Sequence, residues 1–180
     1  MKKILTGMFF LVAAVGFFAC DDGIDYEKMR KEELAILDLY ISTNHPGAEP
    51  TRSGLYYFNE PGTGEGDTIK LGDEVRIFYA TWSLYENSDG ELDSVLVDQS
   101  SGYLDGQRYE PLDFIVGAGT TIAGLEEGAT YMQPGTKSHL VINSELAYGQ
   151  NGATSGGIGM FQTVLMEVEV YKVFPLETSE

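Results

Sequence analysis

Apolar and polar residues alternate most cleanly near the end of the chain, where Met166, Val168 and Val170 are separated by Glu167 and Glu169. A period of two puts one row of side chains on a core and the other in water, which predicts a strand over 164–173. Val75 to Trp82 also alternates and is rich in β-forming residues. Shorter runs at Gly54 to Asn59, Phe114 to Val116 and His139 to Ile142 predict further strands. Two segments follow the helical period instead. Ile122, Leu125, Ala129 and Met132 share one face of a short helix over 122–132. In the longer segment 25–43, Leu34, Leu37 and Ile41 share a face, with Ile36 and Tyr40 beside them. Asp25 is placed to cap it, and Glu27/Lys31 and Lys28/Glu32 are spaced as i,i+4 pairs. Asn44-His45-Pro46-Gly47 ends it, because proline disfavours helix in the residue before it. Such a helix either packs on the domain or stands off as a stalk.

The segments between are punctuation. Residues up to Ser53 read as a linker, and Pro61-Gly62-Thr63-Gly64-Glu65-Gly66 as a turn. That turn lacks the spacing and the lysine of a phosphate loop, and Glu65 and Asp67 repel phosphate. Ser83 to Tyr109, rich in Gly, Ser, Asp and Asn, is read as a loose extended loop with a short strand at Val95 to Asp98. Tyr85, Tyr103 and Tyr109 within it either pack the loop or rim a peptide site. Residues 176–180 are a tail.

The first nineteen residues carry an address. Lys2-Lys3 is a charged start, Ile4 to Phe18 an apolar run, and Ala19 a small residue at a cut. The run falls short of the about 20 apolar residues that span a bilayer. Phe17-Phe18-Ala19-Cys20 resembles a bacterial lipobox, and Cys20 is the single cysteine, so no disulfide forms within the chain. Lipidation of Cys20 by two or more acyl chains is expected to anchor the chain to a membrane. The location expected is a bacterial cell envelope, at the outer membrane. Asp21-Asp22 fits surface export, inner-membrane retention or a soluble spacer. The predicted organisation is a leader over 1–19, a lipidated helix and linker over 20–53, a domain over 54–175 and a tail. The stretch before Gly54 is expected to be dispensable for the fold.

Composition narrows the function. With 43% hydrophobic residues the chain has enough apolar side chain for a core. Its formal net charge of −17 argues against nucleic acid as a partner, because phosphates are repelled.

Within residues 114–149 the motifs come in a fixed order. Phe114-Ile115-Val116-Gly117 precedes Ile122-Ala123-Gly124-Leu125-Glu126-Glu127-Gly128; Met132-Gln133-Pro134-Gly135 and Ala147-Tyr148-Gly149 follow. Together they resemble the FKBP-type peptidyl-prolyl isomerases, whose pattern runs F-x-(L/V)-G, V-I-x-G-W-E-E-G, M-x-x-G, A-Y-G. The resemblance extends from Gly54 to Phe174. It implies an α+β fold, an antiparallel β-sheet wrapped around one short helix, and a pocket that receives a proline ring. It also implies no cofactor and no metal, with proline-containing polypeptides as clients. By motif position Tyr79, Asp98 and Tyr148 carry the polar roles: Asp98 at the pocket edge, the Tyr148 hydroxyl on the substrate carbonyl. Ile122 offers its backbone amide, and Ile158 falls near the isoleucine of the family's late loop. Four walls depart from the pattern: Val97, Leu112, Leu125 and Met166 stand where the family has aromatic residues. Leu125 replaces the tryptophan floor, and Met166 or Phe161 is placed to fill the space. Gly159-Met160 stands in place of paired prolines.

Each of these residues also has a bland reading. Tyr79 fits an ordinary strand, Tyr148 loop packing, Asp98 a turn cap, and Ile122 and Leu125 any amphipathic helix. Other chemistries find less. His45 and His139, the two histidines, show no metal-ligand spacing or general-base constellation. Glu126 and Glu127 point about 100° apart on a helix and form no dyad. Asn87-Ser88-Asp89-Gly90 echoes only part of a calcium loop. The leading function is a lipid-anchored isomerase that assists folding in the envelope, its rival a non-catalytic binding module on the same fold. A third reading, a surface lipoprotein in a nutrient-binding assembly, rests only on Asp21-Asp22.

Overall fold

The computed structural model describes residues 23–62, 64–107 and 110–176. The leader, Cys20, Asp21-Asp22, Tyr109 and residues 177–180 lie outside them. Six strands form one antiparallel sheet: β1 (Tyr56–Asn59), β2 (Glu74–Glu86), β3 (Leu92–Gln99), β4 (Leu112–Ile115), β5 (Lys137–Ile142) and β6 (Val164–Phe174). They run in the order β1-β5-β6-β2-β3, and β4 pairs with the first half of β2 on the edge that β3 takes further along. Two helices, α1 (Tyr26–Asn44) and α2 (Ala123–Ala129), lie on opposite faces.

The alternation on β6 is realised. Val164, Met166, Val168 and Val170 are buried, and Glu167 and Glu169 face out. The inner row joins Val75, Ile77, Leu140, Ile142 and Phe114, and α2 covers it with Leu125 and Ala129. The helix is shorter than the expected 122–132, and Met132 reaches the same core from the turn beyond its end. Close approach of α2 to β5 depends on two glycines. A Cβ on Gly124 would stand 2.3 Å from Ile142 Cγ2, and one on Gly128 2.8 Å from Leu140 Cδ1. No such carbon fits without movement.

Helix α1 packs on the outer face rather than standing off. Asp25 caps it, accepting from the Lys28 N–H at 2.9 Å, and Leu37 and Ile41 are buried against Val141, Phe58 and Leu165. Its buried face differs from the expected one by a residue: Leu34 is 38% exposed, whereas Glu33 is 3% exposed. Burying a carboxylate is tolerable only when its oxygens are satisfied. Glu33 accepts from the Ser144 N–H and hydroxyl, both at 2.6 Å, and from the Thr163 hydroxyl at 3.0 Å. It also pairs with Arg30, which reaches Glu145 at 2.9 Å. The segment before Gly54 is thereby bolted to both ends of the β5–β6 connection, which argues against its expected dispensability.

The segment read as a loose loop is mostly a hairpin. β2 continues to Glu86 and β3 starts at Leu92. Asn87 closes the turn, its side-chain oxygen accepting from the Asp89 and Glu91 N–H groups at 2.9 and 3.0 Å. This edge strand is exposed along most of its length and mixes Asp93, Ser94 and Asp98 with Val95 and Leu96, so it lacks the clean alternation of a half-buried strand. Charged side chains such as Asp93 and Asp98 oppose pairing of the edge with other chains. Tyr103 packs the outer face beside Phe78 and donates to Glu167 at 2.9 Å. Tyr85 donates across the hairpin to Asp93 at 3.0 Å.

Candidate active site

Register assembles the site. On the inner face Asp98, Thr81 and Met166 stand in one row, because Thr81 pairs with Asp98 on β3 and with Met166 on β6. Tyr79 lies two residues back on β2, hence on the same face. β4 adds Leu112, α2 and the residues before it add Leu125, Ile122, Thr121 and Thr120, and the loop after β5 adds Tyr148. These side chains line a cavity of about 270 Å³.

Its polar groups are held in place. Ser100 clamps Tyr79, accepting the Tyr79 N–H on its hydroxyl at 3.1 Å and donating its own N–H to the Tyr79 carbonyl at 2.9 Å. The Tyr79 hydroxyl donates to Asp98 Oδ2 at 2.7 Å. Burial, then the bond and charge of Asp98, push the Tyr79 hydroxyl far above its usual range. Burial and the negative Asp98 also raise Tyr148. Both phenols therefore stay protonated and act as donors. Among the described residues the Tyr148 hydroxyl and the Ile122 N–H have no hydrogen-bond partner, and both border the cavity.

Glu126 fixes the loop that carries Thr120, Thr121 and Ile122. It is 8% exposed. Its carboxylate accepts the N–H groups of Gly117 at 2.8 Å and of Gly119 and Thr121 at 3.2 Å. Burial alone would raise this carboxyl; the bonds from Thr121, Gly119, Gly117 and Thr120 outweigh burial and hold it below the usual range. Glu127 points elsewhere, accepting from Thr51 at 2.9 Å and from Ser53.

A cleft of this size, with Leu112, Leu125 and Met166 on its apolar side, admits a small ring, with donors at Tyr148 and Ile122 and an acceptor at Asp98. The same sheet-and-helix frame recurs in solved structures. A peptidyl-prolyl cis-trans isomerase from Pseudomonas syringae superposes with a TM-score of 0.62 at 25% identity, over 85% of this chain and 98% of that one. FkpA from Escherichia coli gives 0.59 at 29% identity, over 83% and 64%. An FK506-binding protein of Neisseria meningitidis serogroup B is 35% identical over 111 residues, 62% of this chain and 89% of its own length. The 22 kDa FKBP-type isomerase of Escherichia coli is 35% identical over 71% of this chain and 53% of its own. The family model for FKBP-type peptidyl-prolyl cis-trans isomerases matches residues 66–171. The chain belongs to that family.

Within this FKBP-type domain seven of the residues singled out by sequence line the cavity together: Tyr79, Asp98, Leu112, Ile122, Leu125, Tyr148 and Met166. Two do not. Val97 is the extra residue of a bulge, since Thr81 pairs with Asp98 but Trp82 with Leu96, and it packs at the core's rim. Ile158 is buried in the core, where a two-way bridge to Ala153 closes its loop. Phe161 does not fill the space beside Leu125; it turns to α1, its ring 6.1 Å from Tyr26. Sequence reading passed over three cavity residues, Thr81, Thr120 and Thr121. Thr81 was within reach of it, being two residues from Tyr79 on an alternating strand.

Proposed function

We propose that the chain is a catalytically active prolyl isomerase that assists folding in a bacterial cell envelope, held there by lipid on Cys20. The observation that carries the catalytic part is the cavity itself, with Leu112, Ile122, Leu125 and Met166 as an apolar side and Asp98, Tyr148 and the free Ile122 N–H as polar groups at its border. Rotation about a peptide bond faces a barrier of about 18–20 kcal/mol, because the planar amide is stabilised by resonance. The twisted amide has less charge on its carbonyl oxygen, so a dry cleft favours it relative to water. No nucleophile, metal or proton transfer is required. The proline ring enters against Leu125 and Met166, the Tyr148 hydroxyl and Ile122 N–H hold the flanking carbonyls, and Tyr79 keeps Asp98 at the rim. Uncatalysed isomerisation takes tens of seconds, so even moderate acceleration matters to a folding chain.

Replacement of the family's aromatic walls by Leu112, Leu125 and Met166 supports a second reading, a peptide-binding module with little catalysis. An isomerisation assay separates the two. Acceleration of an Ala-Leu-Pro-Phe type peptide, reduced in Tyr148→Phe, supports the enzyme. A folded protein that accelerates none of several peptides varied before the proline leaves the binding module. The membrane part has its own test, labelling with a radioactive fatty acid. Label should enter the parent chain and be absent from Cys20→Ser; label persisting in Cys20→Ser would sink the anchor.

A further inference from the structure

On the outer face, away from the prolyl cavity, β5, β6 and the residue just past β1 bring His139, Glu167 and Glu60 together. One ligand-capable atom of each lies within 4.8 Å of the others. Spacing along the chain hides this, because the residues come from three adjacent strands. His139 pairs with Glu167 across β5 and β6, and the Glu60 N–H donates to the Lys137 carbonyl at 2.9 Å, just past the end of β1. Placement by a sheet is stiffer than placement by loops.

We propose that Glu60, His139 and Glu167 form a binding site for a first-row divalent cation of borderline softness, with Zn²⁺ as the type. The donor set is one imidazole nitrogen and two carboxylates, a combination that suits zinc and disfavours calcium and magnesium, which prefer oxygen alone. Two carboxylates balance the ion's charge. A supporting shell exists: Tyr103 donates to Glu167 Oε1 at 2.9 Å, which fixes the carboxylate's orientation. A groove of about 320 Å³ reaches His139 and Glu167 and leaves room for water ligands; His45, the other histidine, lines it too.

A cation already marks the spot. Lys137 Nζ stands 2.5 Å from Glu167 Oε1 and 3.9 Å from Glu60 Oε1, bridging the two carboxylates. The site therefore accommodates positive charge, and a metal ion must displace the ammonium to close the ligands to the about 2.0–2.2 Å expected for zinc. His139 Nε2 already lies 2.6 Å from Glu60 Oε1. A bound ion would tie β1, β5 and β6 together and raise the melting temperature.

The test titrates ZnCl₂ into the full chain in detergent, in competition with a chromophoric chelator. Cys20→Ser is carried throughout, so that the thiol offers no second site. One equivalent of zinc should bind, unaffected by a large excess of Ca²⁺, and the melting temperature should rise. His139→Ala and Glu60→Gln should each weaken binding at least about tenfold, and Lys137→Met should tighten it by removing the competitor. Since all these side chains are partly exposed, the variants should keep the parent's circular dichroism. Zinc bound as tightly by His139→Ala as by the parent, zinc displaced by Ca²⁺, or no zinc bound at all would overturn the proposal.

Discussion

Strand β5 has a helix on each side, and the two dock on it by opposite means. On the inner face Leu140 and Ile142 meet α2, which comes close because Gly124 and Gly128 present no side chain to them. On the outer face Val141 meets α1 through Leu37 and Ile41, and a buried carboxylate, Glu33, fastens the assembly to Ser144 and Thr163. The inner helix supplies the cavity floor, Leu125, so its position must be tight. The outer helix grips the residues just before the Tyr148 loop and just before β6. One contact is specified by missing atoms, the other by hydrogen bonds. They should therefore fail differently.

Breaking the polar contact should have the larger effect. Glu33→Ala leaves the buried Ser144 N–H without its acceptor, along with the hydroxyls of Ser144 and Thr163. Each stranded donor costs about 1–3 kcal/mol, so a total loss of about 3 kcal/mol or more is expected in urea unfolding. Arg30 keeps Glu145 and does not add a bare charge. If Glu33→Ala unfolds at the parent's midpoint, α1 is a passenger on the sheet.

The apolar contact sharpens the comparison through a pair of substitutions. Alanine normally favours a helix by about 1 kcal/mol over glycine. At Gly124 the new methyl meets Ile142 Cγ2, which is fixed on a β-branched side chain, and overpacking costs about 1–3 kcal/mol. Gly124→Ala should therefore destabilise. At Gly128 the obstacle is the end of Leu140, which can turn aside, so Gly128→Ala should come near neutral. Equal midpoints for the two variants would show that α2 shifts as a body.

The two faces also differ in how far the sequence disclosed them. The inner face was legible because its signals are local. Alternation over β6, the helical period of Leu125, Ala129 and Met132, and the ordered motifs each sit within a few residues. The cavity followed from them, since Tyr79, Asp98 and Tyr148 carry the family's pattern. The outer face depends on pairings more than a hundred residues apart. A glutamate four residues before Leu37 reads as solvent-facing unless Ser144 and Thr163 are known to meet it. Glu60, His139 and Glu167 are likewise unrelated until the strands pair. The bulge at Val97 is hidden in the same way, because a register shift of one residue leaves no mark on a local period.

A third experiment joins stability to the cavity loop. Glu126 is held below the usual carboxylate range. A depressed carboxyl contributes stability that is present above its unfolded value, about 4.3, and is lost as pH falls through the folded value. Glu126→Gln should be less stable than the parent at pH 7 by about 1–2 kcal/mol, within the range for disrupted buried hydrogen bonds. It should also lose less on acidification below about pH 4.3. Parallel melting curves from pH 7 to pH 3 measure both. A gap that stays constant across that range would mean that the Glu126 charge does not hold the loop.

The smallest effect is expected at the rim of the cavity. Tyr148→Phe removes one donor, a net loss of about 0.5–1.5 kcal/mol, which corresponds to a few-fold fall in kcat/KM for a prolyl peptide. Stability should hardly move, because the hydroxyl has no partner among the described residues. The pH profile carries an independent sign. Burial and Asp98 raise the Tyr148 hydroxyl above its ordinary value of 10.0, so the donor persists as pH climbs to that value. The parent's kcat/KM should stay level from pH 7 to about pH 10, the ordinary tyrosine range, and the ratio of parent to Tyr148→Phe should stay constant with it. A ratio that collapses to one by pH 9 would mean that the phenol ionises early and that burial does not protect it. A ratio of one already at pH 7, with the parent active, would remove Tyr148 from the mechanism and leave the Ile122 N–H as the donor to examine.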